Sequence, residues 1–376
     1  MSIIDAIPKI CSFFPKMTSF FLKIGMVPVS FYHIYYQSPF FNTAFNDAYG
    51  IEKIGNFFLI PSQYLCEGKV ICYDEETDSY DITQRFEYET HKRLFAPAAL
   101  TLFTPATILG TVCKGLSFLS PNVKVKHQKL KVEMHQELVI SNNDHYLDIG
   151  IEVDDWKKGE RFISQGYKRK PGAENNLKED KECLKEIAKI LHAEKIPFWV
   201  DCGTCIGAYR HGGVIPWDND LDLSVLVDDF QNVLNILRRL DKKRFVVQDW
   251  SSRARPGSYI RVYVKKNRNH IDIYMNDIDP DEKTITYIVA HENSHFMAEG
   301  WKERERIQKS PIPFDVIFPL KVGEFDGIEV PVPNQTARFL TYKYGPNLNP
   351  PRLYNEETGE YEKDLSHPYW EIPLVH

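Results

Sequence analysis

One segment of the chain combines a strand, a tight turn, a helix and a second strand within residues 197–227. The apolar run at its start predicts a strand that leads directly to Gly203, where the missing Cβ lets the backbone approach a ligand closely. A short helix follows, and Gly212-Gly213 turns the chain back toward the second strand. This order predicts a sheet that carries a functional site beside its glycine turns.

Aspartates mark the start of the second strand. Asp220 and Asp222 are two residues apart, so in an extended strand both side chains point to one face and can hold one divalent cation. Asp272 lies fifty residues after Asp222, in another strand-like run. Two carboxylates from one strand and one from its neighbour suit Mg²⁺ or Mn²⁺, which would neutralise a diphosphate and orient it for in-line attack. We therefore predict that these three aspartates form a metal site.

Five further residues are candidates for contacts with a substrate. Thr204 can offer its hydroxyl and N–H to a phosphate at the start of the helix. Arg210 can stabilise charge on a transferred group, whereas His211 either contacts the substrate or caps the helix. Trp217 offers an aromatic face to a base or sugar, or else packs as a wall of the cleft. Asp218 stands at the entrance of the second strand.

Three blocks of sequence, in the same order, resemble the LicD/fukutin family. Residues 201–223 contain its Gly-Thr turn, its Ala-x-Arg-His-Gly loop, its Ile-Pro-Trp-Asp stretch and its Asp-x-Asp strand. Residues 271–274 are similar to its Ile-Asp-Ile-Phe strand, and residues 325–345 to its C-terminal hairpin and helix. The resemblance covers residues 176–351 and no part of the first 170 residues.

The resemblance implies an α+β fold, with a nucleotidyltransferase-like mixed sheet flanked by helices. It also implies a phosphotransferase that moves a phosphoalcohol, such as phosphocholine or an alditol phosphate, from a CDP-linked donor to a hydroxyl of a glycan or lipid-linked glycan, with CMP leaving. In this chain Asp220 and Asp222 would hold the metal on the diphosphate. Asp272 would complete the metal shell or take the acceptor proton.

Two other functions use the same residues or ignore them. A nucleotidyltransferase acting on a protein or a small alcohol would need the same carboxylates. A membrane-associated interaction protein would instead carry a non-catalytic transferase-like domain, although the intact carboxylate set argues against this.

A rival motif is the HExxH pattern from His291 to His295. On a helix the two imidazoles would share a face and could bind zinc, with Glu292 as the base. The pattern has only three fixed positions and lies inside the region that resembles LicD proteins. A third ligand is not clearly marked, and the candidates are Glu299, Glu303 and Glu305. We interpret it as a polar helix or loop near the cleft.

Composition limits the partners and the location of the protein. The chain has 376 residues, of which 43% are hydrophobic, so it is long enough for two domains. Its net charge of −6 gives no electrostatic footprint for nucleic acid. The seven cysteines are an odd, scattered set, and Cys202 and Cys205 straddle the glycine turn without a partner pair. Reduced thiols in a cytoplasmic protein are the simplest interpretation.

Residues 94–113 carry no charge over a length that could cross about 30 Å of hydrocarbon. Pro97 and Pro105 interrupt this run, so a buried helical hairpin or a re-entrant segment competes with a true membrane span. Residues 1–36 lack the features of a secretory signal. We predict an N-terminal accessory region of uncertain, partly helical fold at 1–170, with membrane contact through 94–113 as one interpretation.

The remaining pattern divides the chain into a catalytic domain at 171–353 and a polar, loosely held tail at 354–376. The predicted elements are a hairpin at 71–82, strands within 123–139, helices at 177–194 and 228–240, and strands at 245–248, 259–264 and 269–275.

Overall fold

The computed structural model describes residues 29–41, 48–74, 76–86, 88, 90–134, 142–153, 157–162, 168, 173–253 and 255–373. The chain forms two compact units. The N-terminal unit comprises residues 1–137, 252–256 and 293–298, and the sheet unit comprises residues 138–251, 257–292 and 299–376.

The described part of the N-terminal unit contains helices around one antiparallel hairpin. Its elements are α1 (Val29–Gln37), α2 (Ile51–Phe58), α3 (Ile60–Glu67), β1 (Lys69–Asp74), β2 (Ser79–Gln84), α4 (Thr90–Arg93), α5 (Ala96–Ser117) and α6 (Pro121–Met134). The β1–β2 pair confirms the predicted hairpin. A cluster rich in tyrosine and phenylalanine forms the core of this unit.

The uncharged run at 94–113 forms α5, a single helix that retains Pro105 in its interior. Pro97 lies in the first turn, where the missing N–H costs no helical hydrogen bond. The prediction of strands within 123–139 was wrong for its described part, because α6 occupies Pro121–Met134. The alternation of lysine with valine there resembles a strand pattern, but the helix exposes Lys124, Lys129 and Lys131, while Lys126 pairs with Glu52.

The sheet unit contains the predicted helices and strands of the catalytic domain together with elements that were not predicted. In chain order the elements are α7 (Asn143–Asp148), α8 (Ala173–Ala193), β3 (Phe198–Val200), α9 (Cys202–Arg210), β4 (Leu221–Leu226), α10 (Phe230–Leu237), β5 (Phe245–Asp249), β6 (Tyr259–Val264), β7 (His270–Asp279), β8 (Thr284–Tyr287), α11 (Glu299–Ile307), β9 (Ile312–Pro313), α12 (Phe314–Ile317), β10 (Lys321–Phe325), β11 (Ile328–Val332), α13 (Thr336–Tyr344), β12 (Arg352–Asn355) and β13 (Glu360–Lys363).

The central sheet is mixed, which confirms the predicted fold class. Its order is β3-β4-β7-β6-β5, and β8 and β9 extend it from the far end of β7. The neighbours β4 and β7 are parallel, whereas the other pairs are antiparallel. Because β4 and β7 are parallel, equivalent positions of the two strands present their side chains at the same level.

Helix α8 supports this sheet because its apolar residues recur at helical spacing. Cys183, Leu184, Ile187 and Leu191 are all fully buried, and the helix contacts β6, β7 and α10. Each such large aliphatic side chain contributes about 1.5–3 kcal/mol by leaving water. This packing gives the site a rigid base.

A hairpin of β10 and β11 holds the loop after α9. Its turn is Asp326-Gly327, and both residues have positive φ (52° and 77°), as a two-residue hairpin requires. The Asp326 N–H donates to the Gly212 carbonyl at 2.7 Å, and its carboxylate accepts the Val214 N–H at 3.2 Å. The hairpin therefore fixes the backbone just beyond Arg210.

The region predicted as a loosely held tail is ordered against the same unit. The strands β12 and β13 pair, and one turn of 3₁₀ helix covers Pro368–Glu371. His367 is buried, and its Nδ1 accepts the Tyr369 N–H at 3.1 Å. Polar composition concealed this packing because a few aromatic residues carry it.

Candidate active site

A pocket of the sheet unit is lined by three aspartates at the start of β4. Asp218 is half-buried, and burial together with the neighbouring Asp220 raises its pKa to about 8. Burial, followed by the charges of Asp220 and Asp272, raises the pKa of Asp222 well above its usual range. Carboxylates crowded in this way favour a bound cation, because a cation offsets their mutual repulsion.

The glycine turn positions Asp222 through its backbone. The Asp222 N–H donates to Thr204 Oγ1 at 2.7 Å, and its carbonyl accepts the Asp201 N–H at 3.0 Å. Thr204 is buried and does not line the pocket. The Thr204 hydroxyl oxygen thus supports Asp222, and the predicted contact of Thr204 with a phosphate stays a prediction.

Gly203 is required for a reason other than the one expected from the sequence. A Cβ at this position would lie 2.6 Å from Asp218 Oδ2. Gly203 lines the pocket, so its missing side chain makes room for the Asp218 carboxylate beside the turn. The glycine thus shapes the acidic cluster as well as opening the backbone to a ligand.

A buried ion pair anchors the start of α9. The Asp201 carboxylate accepts Lys343 Nζ at 2.5 Å, the Cys202 N–H at 2.6 Å and the Ser224 hydroxyl. Both charged residues are fully buried. Sequence reasoning missed Lys343, since a single lysine on a helix normally indicates a solvent-facing position.

Asp272 lies beside Asp222, but its carboxylate is already engaged. Arg261 on β6 donates from Nε to Oδ1 at 2.6 Å and from Nη2 to Oδ2 at 2.8 Å. This guanidinium contributes to holding the pKa of Asp272 below its usual value, although burial acts in the opposite sense. Asp272 does not line the pocket. Its prediction as a metal ligand would require the Arg261 pair to open, so the structure favours a supporting role.

Arg210 is the buried cation of the pocket. Only 5% of the residue is exposed, and it ends α9 with its side chain in the pocket lining. Its Nε has no hydrogen-bond partner among the described residues. Burial lowers its pKa to about 10, which leaves the guanidinium charged at neutral pH. A buried charge in this state favours an anionic ligand.

His211 and Trp217 differ in their access to the pocket. The His211 N–H caps α9 by donating to the Gly207 carbonyl at 2.8 Å, and the residue is buried outside the pocket lining. Trp217 does line the pocket, and its ring also contacts Tyr361, with ring centroids 4.9 Å apart, and His211 at 6.2 Å. Trp217 is therefore both a wall of the cleft and a face that a base or sugar could contact.

The C-terminal region completes the pocket. His367, Tyr369 and Ile372 line it together with Arg304 of α11. None of these residues was predicted, since the region carries no pattern that marks a site. Only the folded chain brings its aromatic and basic side chains to the acidic cluster.

The acidic cluster fits a divalent cation in a limited way. Among the described residues, no three histidine, cysteine, aspartate or glutamate side chains are grouped to hold one ion. Magnesium, however, is commonly bound by one or two carboxylates, with water and substrate phosphates supplying the other ligands. Asp220 and Asp222 offer such a pair, and their hard oxygen donors suit Mg²⁺ or Mn²⁺.

The HExxH segment does not form the helix that a zinc protease would need. Residues 291–295 form turns. Glu292 pairs with Lys309 at 2.8 Å and with Arg306 at 3.4 Å, which lowers the pKa of its carboxyl. Of the three suggested third ligands, Glu305 accepts the Tyr287 hydroxyl at 2.6 Å. The segment is therefore a polar loop, one of the two forms we expected.

Comparison with known proteins places this site in a family. Residues 195–335 match the LicD/FKTN/FKRP nucleotidyltransferase domain. Ribitol 5-phosphate transferase FKRP of Homo sapiens is 28% identical over 174 residues, which are 45% of this chain and 31% of that protein. Ribitol-5-phosphate transferase FKTN of Homo sapiens is 26% identical over 171 residues, which are 45% of this chain and 32% of that protein.

A bacterial relative matches a shorter stretch. Lipopolysaccharide cholinephosphotransferase LicD of Haemophilus influenzae is 36% identical over 64 residues, which are 16% of this chain and 24% of that protein. The chain spans about a third of the length of its two human relatives. The matched domain contains the glycine turn, Arg210 and the aspartates of β4 and β7. Residues 195–335 are thus similar to the nucleotidyltransferase domain of the LicD/FKTN/FKRP family.

Proposed function

We propose that the chain is a metal-dependent transferase that moves a phosphoalcohol from a CDP-linked donor to a hydroxyl of a glycan, free or lipid-linked. The names of three relatives support this reaction class: two are ribitol 5-phosphate transferases and one is a cholinephosphotransferase. The identity of the alcohol and the use of a CDP donor rest on the family resemblance.

One observation carries the proposal: a single pocket holds unbalanced charges of both signs. Asp218, Asp220 and Asp222 are crowded carboxylates, while Arg210 is a buried cation whose Nε is unpaired among the described residues. A diphosphate with a divalent cation presents the complement of both. It offers positive charge to the aspartates and phosphoryl oxygens to the arginine.

Asp220 and Asp222 would hold the cation, which when bound supplies neutralising charge for the diphosphate. Arg210 would contact the non-bridging oxygens of the phosphoryl group that is transferred, where charge accumulates during the reaction. Trp217 would contact the cytosine ring or a sugar through its exposed face. The hydrogen bonds that the Asp222 backbone makes with the Asp201 N–H and with Thr204 Oγ1 hold Asp222 in position.

The acceptor hydroxyl oxygen would attack the phosphorus that carries the alcohol. A new phosphorus–oxygen bond forms to the glycan, and the bond from that phosphorus to the bridging oxygen breaks, with its electron pair leaving on CMP. The acceptor proton passes to a carboxylate of the cluster. Asp220 and Asp222 would hold the cation, so we assign acceptance of this proton to the remaining carboxylate, Asp218.

The test is turnover of a panel of CDP-linked alcohols, including CDP-ribitol and CDP-choline, with a glycan acceptor and Mg²⁺ or Mn²⁺. We expect CMP release and a mass increase of one phosphoalcohol on the acceptor, both abolished by EDTA. Asp220→Asn should remove activity, whereas Asp281→Asn, an exposed aspartate of the β7–β8 turn, should keep it.

The same assay, run also with nucleoside triphosphates and paired with a measurement of nucleotide binding, separates the two alternatives. A nucleotidyltransferase would consume a nucleoside triphosphate and release pyrophosphate. A non-catalytic domain would release neither product while still binding nucleotide. Either outcome would contradict the proposed transfer of a phosphoalcohol.

A further inference from the structure

Helix α5 of the N-terminal unit exposes large apolar side chains, which a helix of a water-soluble protein normally buries. Five of its large apolar residues point outward, since Leu102, Ile108, Leu109, Val112 and Leu116 are each between 47% and 60% exposed, whereas Leu100 and Phe103 pack against the core of the unit. Their spacing of three, four or seven residues, with Ile108 beside Leu109, places them along one side of the helix. Such an exposed apolar face marks a site of interaction.

Small residues and one lysine, Lys114, occupy the buried side of the same helix. Ala99, Ala106, Gly110 and Ser117 are buried. A Cβ at Gly110 would lie 2.8 Å from the Leu59 side chain and 3.0 Å from the carbonyl oxygen of Gly55 in α2. The backbones of α5 and α2 therefore approach closely, as helices do where lipid rather than water surrounds their outer faces.

Two further features extend this surface. In α2, Ile51, Ile54 and Phe57 are also exposed at a spacing of three residues. Across the interface of α3 and α5, the hydroxyls of Ser62 and Thr107 are 2.5 Å apart and form a hydrogen bond. Polar contacts between helices, with apolar residues outside, suit a hydrocarbon surrounding.

Basic residues lie in the elements at both ends of α5. Before it, α4 carries His91, Lys92 and Arg93, and after it the exposed side of α6 carries Lys124 and Lys129. Positive charge next to an apolar face is complementary to anionic lipid headgroups. This complementarity selects a membrane over an apolar protein partner.

Within the described residues, α5 is the one helix that is long and apolar enough to cross a bilayer by length and composition. It packs along α2 and α3, so only one side of it is free to meet lipid. We propose that the apolar face of α5 and α2 docks the N-terminal unit into the surface of a membrane that contains anionic lipids, with the lysines of α6 on the headgroups. This docking is independent of the transferase activity.

The test is flotation of the full chain with two kinds of vesicle, one of phosphatidylcholine alone and one with about a third phosphatidylserine. We expect the chain to float with both vesicles, more strongly with the anionic one. High salt should remove the difference but not the binding, because apolar burial is not screened. The double variant Leu109→Glu with Val112→Glu should lower binding to both vesicles about tenfold or more.

Two further variants separate the contributions of charge and of apolar contact to membrane binding. Lys124→Glu with Lys129→Glu should weaken binding to the anionic vesicle alone. Leu365→Glu, which alters a more exposed leucine of the sheet unit, should leave flotation unchanged. Circular dichroism and the thermal transition should be the same in all variants, because each altered side chain is exposed.

Three results would overturn the proposal. One is a full chain that floats with neither vesicle, and another is flotation that the glutamates in α5 do not change. The third is a lipid-independent dimer that the double variant dissociates, which would assign the face to a second copy of the chain.

Discussion

Strands β4 and β7 run side by side, and each carries a buried aspartate at the same level of the sheet. Asp272 on β7 is neutralised by two hydrogen bonds from Arg261. Among the described residues Asp222 on β4 has no such cationic partner, and burial followed by the charges of Asp220, Asp272 and Asp218 raises its pKa. The same residue type in equivalent positions is thus supporting structure in one strand and an unbalanced charge in the other. The imbalance, rather than the carboxylate itself, marks the site.

The largest expected effect comes from Asp222→Asn, which keeps the shape of the side chain and removes its charge. We expect activity to fall about 10³-fold or more, because metal-ion stabilisation of the transferred group is worth several kcal/mol. The free energy of unfolding of the metal-free protein should stay the same or rise, since a crowded buried charge is removed. Initial rates and chemical denaturation measure the two quantities, and a fully active variant would contradict the assignment.

Arg261→Met should lower the free energy of unfolding, whereas Asp222→Asn should not. Removing the arginine leaves the Asp272 carboxylate buried without its cation, which costs about 3–5 kcal/mol of folding free energy. The double variant Arg261→Met with Asp272→Asn should recover most of this loss, because no uncompensated charge remains. If the single variant is as stable as the native chain in urea denaturation, the supporting role of this pair is wrong.

The titration of Asp218 should make the free energy of unfolding depend on pH. Its pKa is raised to about 8 in the folded chain, so the folded state binds more protons than the unfolded state between the ordinary aspartate pKa and about 8. Without metal, stability should therefore fall as the pH rises through this window. Magnesium should reduce the slope, because it stabilises the ionised carboxylates.

Thermal denaturation between pH 6 and pH 9, with EDTA or with Mg²⁺, measures this dependence. Asp218→Asn removes the titrating group and serves as the control, so it should flatten part of the slope. Stability that rises with pH in EDTA would show that the carboxylates are not crowded as described.

The smallest effect is expected for Glu292→Gln in the HExxH segment. Glu292 forms ion pairs with Arg306 and Lys309 outside the pocket, and exposed pairs of this kind contribute about 0–1 kcal/mol. Activity should be unchanged, and elemental analysis should find no stoichiometric zinc. One tightly bound zinc per chain together with lost activity would restore the metalloprotease interpretation.

The sequence predicted much of the sheet unit because its signals are local. The apolar spacing in α8 and the strand patterns of β4 and β7 depend on neighbours in the chain, and the glycines mark turns that only they fit well. Four residues were placed at the site from the sequence because they lie in one short segment around the glycine turns: Arg210, Trp217, Asp220 and Asp222. The spacing of Asp220 and Asp222 in an extended segment places both side chains on one side of the sheet.

Other parts of the site depend on contacts that are distant in sequence. The pairing of Arg261 with Asp272 follows from the register of β6 on β7, which no local pattern gives. Lys343 pairs with Asp201 across 142 residues of sequence, and His367 reaches the pocket only because the C-terminal hairpin packs against it. The hydrogen bond from the Asp222 N–H to the Thr204 hydroxyl likewise joins α9 to β4 across 18 residues, and the contact of Thr204 with a phosphate stays a prediction.

The most direct test of the central claim is whether a cation and a diphosphate bind to the pocket cooperatively. Calorimetric titration of the full chain with CDP, with and without Mg²⁺, measures this coupling in the native protein and in Arg210→Gln and Asp222→Asn. We predict that Mg²⁺ tightens CDP binding about tenfold or more, that Asp222→Asn removes this enhancement, and that Arg210→Gln weakens CDP binding in both conditions. CDP binding that is equally tight with and without Mg²⁺ and unchanged in both variants would contradict the account.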